Sequence, residues 1–149
     1  MESVVSALPG DLRDSGERIS GYEALSMRLD HEYSIGVVGE WTVVSDPGMQ
    51  LVYDRKLGEL LSVQRRALAF LVHSVSSVYG FALYRDGHLS RRALYLEGEV
   101  QDEMGDRLPE EENLPHSATE DHVLDLIPRL TGIRWPEVLQ APFRVLQPL

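Results

Sequence analysis

Two strand-like runs joined by a tight turn constrain this chain more than any other feature. Val78 to Tyr84 is aromatic and aliphatic, Arg85-Asp86-Gly87-His88 follows, and Leu89 to Val100 resumes the apolar pattern. Asp-Gly between such runs is the preferred chemistry of a two-residue hairpin, because both central residues must take positive φ. In the second run Leu94, Leu96, Gly98 and Val100 alternate with Tyr95, Glu97, Glu99 and Gln101. A period of two with one charged side is a strand with one wet face. The middle of the chain is therefore expected to be an antiparallel meander.

The flanks add elements to it. Tyr22, Leu25 and Leu29 have helical spacing, so a short helix is expected near 22–32. Tyr33 to Ser45 is rich in Val, Ile, Thr and Trp and broken by Gly36 and Gly39, which reads as one bent strand or two short ones. Asp46-Pro47-Gly48 is a turn, in which Pro sets φ and Gly accepts positive φ. Met49 to Tyr53 reads as a further short strand, and a helix is expected near 55–65. Arg66 to His73 is nearly all apolar and reads as a central strand. Ser117 and Glu120 have the spacing of a capping box, and Val123, Leu126, Ile127 and Leu130 then repeat at helical spacing. Pro128 is expected to kink or end that helix. The apolar tail from Phe143 to Leu149, bounded by Pro142 and Pro148, reads as a short edge strand or coil.

Together these elements predict an α+β fold: an antiparallel sheet of about five or six strands with helices packed on one face or end. The expected core is Trp41, Val43, Leu68, Phe70, Val72, Phe81, Leu83, Leu94, Leu96, Val123, Leu126, Ile127 and Leu130. A length of 149 residues suits one domain. The first twenty residues hold Pro9, Gly10, Asp14, Gly16 and Ser20, and are expected to form a loosely structured arm.

Charge is the second strong signal. The net charge of −10 comes entirely from Glu97 to Asp125, where eleven acidic residues face one basic residue, Arg107. A field of one sign repels nucleic acid and attracts a basic protein, although most charge runs simply keep a surface solvated. The arginines Arg85, Arg91 and Arg92, with Tyr84 and Tyr95, resemble the ingredients of a nucleic-acid surface, but the acidic balance argues against one. There are no cysteines, which removes disulfides, thiolate metal sites and a cysteine nucleophile. No run is long and apolar enough to be read as a membrane span, no secretory pattern opens the chain, and a cytoplasmic protein is expected.

Motifs that would specify chemistry are sparse. No glycine-rich phosphate loop and no Gly-x-Ser-x-Gly elbow occurs. The histidines His31, His73, His88, His116 and His122 never pair at the spacing that puts two imidazoles on one helix face. No metal and no cofactor is expected. For an enzyme with a dispersed site, His73, Glu40 and Asp46 are the residues to inspect.

The stretch from Glu40 to Glu112 resembles small uncharacterised proteins of high-GC bacteria. The residues carrying the likeness are Glu40-Trp41-Thr42-Val43-Val44, Asp46, Met49 and Leu60-Leu61-Ser62, then an arginine-bearing strand and the sequence Gly105-x-x-Leu108-Pro109-Glu110-Glu111. Some such domains of unknown function look like toxin-immunity proteins, and the resemblance implies an interaction role without an active site. The functional expectation is a non-enzymatic domain that binds a basic protein through Glu97, Glu99, Asp102, Glu103, Asp106, Glu110, Glu111, Glu112 and Asp121. The alternatives are an enzyme with a dispersed site and a structural subunit that oligomerises through a sheet edge or the apolar tail.

Overall fold

The computed structural model describes residues 1–26, 33–112 and 120–149. These form an α+β structure with two antiparallel four-stranded sheets, rather than the expected one sheet of five or six strands. The chain divides into two compact units, 1–50 with 131–149, and 51–130.

In the first unit, helix α1 (Glu2–Ala7) leads into strand β1 (Leu12–Ser20), so the first twenty residues are not the loose arm expected from their turn formers. Those turn formers instead build an irregularity between Asp14 and Arg18 of β1. There the Gly16 amide donates to Asp14 Oδ1 at 2.8 Å and the Glu17 amide donates to Ser15 Oγ at 3.1 Å. Ser20 caps the short helix α2 (Gly21–Leu25) in a reciprocal box with Glu23. Residues 27–32, the rest of the helix expected there, lie outside the described residues. Strands β2 (Tyr33–Val38) and β3 (Trp41–Ser45) form a hairpin, with positive φ at Gly39. In the turn after β3, positive φ falls on Met49 rather than on Gly48.

The sheet order is β1-β8-β2-β3, where β8 (Pro142–Pro148) is the apolar tail. The tail is thus an interior strand and not an edge. Its prolines sit at its two ends, where they cost the ladder least, and Phe143, Val145 and Leu146 between them are buried. Helix α5 (Trp135–Gln140) packs Val138 with Val38 and Ile133.

The second unit is a meander in chain order: β4 (Arg66–His73), β5 (Val78–Arg85), β6 (His88–Leu96) and β7 (Glu99–Met104). Asp86 and Gly87 both take positive φ, as the Asp-Gly hairpin requires. Glu97 and Gly98 do the same. This second turn divides the expected single strand from Leu89 to Val100 into β6 and β7. Strand β4 is an edge and not a central strand; the interior strands are β5 and β6. Met49 to Tyr53 supplies a 3-10 turn, Leu51–Tyr53, in place of a strand.

Pairing places Phe70, Phe81 and Ala93 on one face of this sheet. Helix α4 (Glu120–Thr131) lays Leu126 and Leu130 against Phe81, Ala93 and Tyr95 there. It runs through Pro128, where the sequence reading expected a kink or an end. Apolar contacts at Leu126 and Leu130, on both sides of the proline, hold the helix past its lost hydrogen bond. The capping box expected at Ser117 falls outside the described residues.

The opposite face takes helix α3 (Arg55–Leu61), capped by Asp54 accepting from the Leu57 amide at 2.9 Å. Gly58 lies directly on the Tyr84 ring, where a Cβ would come within 2.3 Å of Cζ. Of the expected core, Phe81, Leu83, Val123, Leu126 and Leu130 are buried. Trp41, Val43, Leu68, Phe70, Val72, Leu94 and Ile127 are half-buried, and Leu96, the last residue before a turn, is 39% exposed. No helix among the described residues is long and apolar enough to cross a membrane.

Candidate functional site

The acidic segment begins at the Glu97-Gly98 turn, runs along β7 and continues through a 3-10 turn, Pro109–Glu111, to the start of α4. β7 is the outer strand of its sheet, and all six of its residues are exposed. Two kinds of carboxylate occur in the segment, and the sequence does not separate them.

The first kind is consumed internally. Arg91, on β6, is 1% exposed and points to the α4 face of the sheet. Its Nε donates to Glu111 Oε2 and its Nη2 to Glu111 Oε1, both at 2.9 Å. The same guanidinium reaches Glu103 Oε1 at 2.7 Å and the Gly105 carbonyl at 3.1 Å, and lies 5.9 Å from the Phe81 ring centroid. Glu111 is also 1% exposed, and its Oε2 accepts the Leu108 amide at 2.6 Å. Burial alone would lower the Arg91 pKa, but hydrogen bonds to Glu111 and Glu103 override that and raise it above the ordinary arginine value. Burial, with the Glu111 charge behind it, pushes the neighbouring Tyr95 hydroxyl up.

The Gly105-x-x-Leu108-Pro109-Glu110-Glu111 sequence builds this clasp step by step. Gly105 turns at φ +81, and a Cβ there would meet the Ser90 carbonyl at 2.1 Å. Leu108 packs against the α4-side core, Pro109 starts the 3-10 turn, and Glu111 swings back under Leu108. Arg107 and Arg129 tie the same turn down through the carbonyls of Glu110, Glu111 and Glu112. Glu111 is therefore not a partner-facing residue, which corrects the sequence reading. Three adjacent glutamates look alike in sequence, and the turn buries only the third of the Pro109-Glu110-Glu111 triplet. Glu103 and Asp102 are exposed but engaged, with Asp102 Oδ2 2.6 Å from Arg92. Glu110 is half-buried, and its Oε2 has no hydrogen-bond partner among the described residues.

The second kind is open to solvent. Glu97, Glu99, Asp106, Glu112 and Asp121 are all exposed. Glu97 in the β6–β7 turn and Glu99 just after it neighbour the exposed apolar side chains Leu96 and Val100, and Met104 is exposed at the other end of β7. The result is an unpaired strand edge with acidic and apolar side chains interleaved.

The other candidates do not converge. Glu40 is exposed in the β2–β3 turn, and the Asp46 carbonyl accepts from the Met49 amide at 3.0 Å. His73 ends β4, where its Nδ1 accepts from the Ser76 amide at 3.3 Å and so closes the β4–β5 turn. Tyr84, Tyr95 and Arg91 are buried, so they do not form an outward stacking surface. Among the described residues no group of three or more His, Asp or Glu side chains is arranged to hold a metal ion; His31 and His116 lie outside them. No family model, curated protein or solved structure matches the chain.

Proposed function

We propose that this chain is a non-enzymatic protein-binding domain that takes a basic partner along its acidic β7 edge, in the manner of an immunity or inhibitor protein. One observation carries the reading. β7 is a sheet edge whose six residues are all exposed, with Val100 and Met104 standing among Glu99, Asp102 and Glu103.

An open edge offers backbone hydrogen bonds to any strand, and side chains decide which strand is accepted. Acidic side chains on an edge discourage pairing with a like-charged copy. A strand bearing Lys or Arg turns that repulsion into attraction, and Val100 and Met104 give it apolar contacts. The exposed Glu97 and Glu99 set the rate of encounter and the salt dependence, as charges at an interface rim do.

The test is capture from native cell lysate at low salt by the wild-type protein and by a Glu97→Lys/Glu99→Lys variant. The expected result is a basic protein retained by the wild type, released at moderate salt and lost on the variant. Equal retention by both, or retention indifferent to salt, overturns the proposal.

A further inference from the structure

On the face of the β4–β7 sheet opposite α4, between the 3-10 turn Leu51–Tyr53 and β6, lies a cleft of about 150 Å³. Small residues on the interior strands, Gly80 and Ala82, open its floor, and Val52, Leu71 and Leu94 form apolar walls. We infer that this cleft binds a small organic carboxylate with a compact apolar or aromatic body. It meets the acidic β7 edge proposed for protein binding only at Asp102, and its argument does not depend on that reading.

Hydrogen-bonding capacity in the cleft is lopsided. Arg92 spends one Nη on Asp102, while its Nε is buried without a partner. Arg55 commits its Nε to Glu59 Oε1 at 2.9 Å, which leaves both terminal nitrogens of its fork available. Tyr84 is 4% exposed and lines the cleft. Burial raises the Tyr84 pKa against the opposing pull of Arg92 and Arg55, so at neutral pH it remains a donor. Arg92, Arg55 and Tyr84 thus bring donors to one apolar cleft, the Arg92 Nε among them buried and unmet, and Asp102, the carboxylate in its lining, is already paired.

A buried donor without an acceptor is costly, and the Arg92 Nε retained in this cleft calls for an acceptor from outside. A carboxylate fits best. Its two oxygens match a guanidinium fork, and its single charge faces less repulsion from Asp102 than a phosphate dianion does. The volume sets the body of the ligand: a cavity of about 150 Å³ is the size that holds one benzene ring.

The experiment is a titration of the full-length, ¹⁵N-labelled protein with benzoate, followed by amide chemical shifts. Benzamide, the neutral isostere, and inorganic phosphate are titrated in parallel. Benzoate is expected to give saturable shifts at Gly80, Ala82, Arg92 and Leu94, with benzamide and phosphate much weaker. Arg92→Gln and Tyr84→Phe are each expected to weaken benzoate about tenfold, the worth of one hydrogen bond to a charged group. Arg55→Gln, at a side chain 53% exposed, gives a variant whose folding is not at stake and is expected to weaken benzoate too. No saturable shift at these residues overturns the inference. So does benzamide binding as well as benzoate, phosphate binding better, or Arg55→Gln and Tyr84→Phe both leaving the affinity unchanged.

Discussion

A guanidinium and a carboxylate each 1% exposed are costly to take out of water. Arg91 and Glu111 offset that cost through a two-point contact and through Glu103, the Gly105 carbonyl and the Leu108 amide. Removing Arg91 leaves the buried Glu111 carboxylate with only the Leu108 amide: Arg91→Ala is expected to destabilise the protein by about 3–5 kcal/mol in urea unfolding, the usual cost of an uncompensated buried charge. Replacing both, as in Arg91→Leu with Glu111→Leu, is expected to recover a substantial part of the loss. A double variant as unstable as the sum of its singles would refute the clasp as an interacting pair. The buried tyrosines give a pH prediction. Tyr84 and Tyr95 are both raised by burial, so their neutral forms are favoured in the folded state. Their contribution is intact below the unfolded tyrosine value of about 10 and is lost as pH rises through the folded values. Absorbance titration should show two tyrosines ionising above the ordinary tyrosine value of about 10, with Tyr84→Phe removing one. Glu111 was only partly legible in the sequence. Leu108-Pro109 followed by a glutamate three positions after Leu108 has the spacing of a carboxylate reaching back to an amide. The net charge of the segment hid that local pattern.

At the scale of elements, turn chemistry decided what could be read. Asp86-Gly87 stands between two unlike runs and announced its hairpin. Glu97-Gly98 takes the same positive φ values but sits inside an unbroken alternation, so β6 and β7 merged into one apparent strand. Charges alternate with apolar residues on both sides of that turn, and periodicity has nothing to mark the reversal. Gly58 was likewise silent: it reads as a weak helix residue, yet it is what lets α3 lie on Tyr84. Gly58→Ala would gain helix propensity on an exposed helix. Here it is expected to cost about 1–3 kcal/mol by overpacking, and it should perturb the Tyr84 ring resonances. A variant as stable as the wild type with unchanged Tyr84 resonances would contradict the packing described for α3.

At the scale of the whole molecule, the α+β class was legible and its division into two sheets was not. One sheet is a run of neighbouring hairpins, which local pattern reveals. The other depends on β8 pairing with β1 and β2 across more than a hundred residues, from Leu12↔Pro148 to Gly36↔Phe143. Prolines at both ends made that tail read as an edge, although Phe143 and Leu146 between them are among the most buried residues. Deleting 142–149 removes one of the two interior strands of its sheet and is expected to abolish cooperative unfolding of the first unit. The second unit is contiguous in the chain and has its own core around Phe81, Ala93, Tyr95 and Leu126. The segment 51–130 made alone is therefore expected to unfold cooperatively in urea. The central claim is that the free side of β7 receives a basic strand. Amide hydrogen exchange of Glu99 to Met104, with and without the basic protein captured from lysate, tests it most directly. The account predicts that β7 amides become protected while those of edge strand β4 do not change. Unchanged exchange along β7, with protection appearing elsewhere, would contradict it.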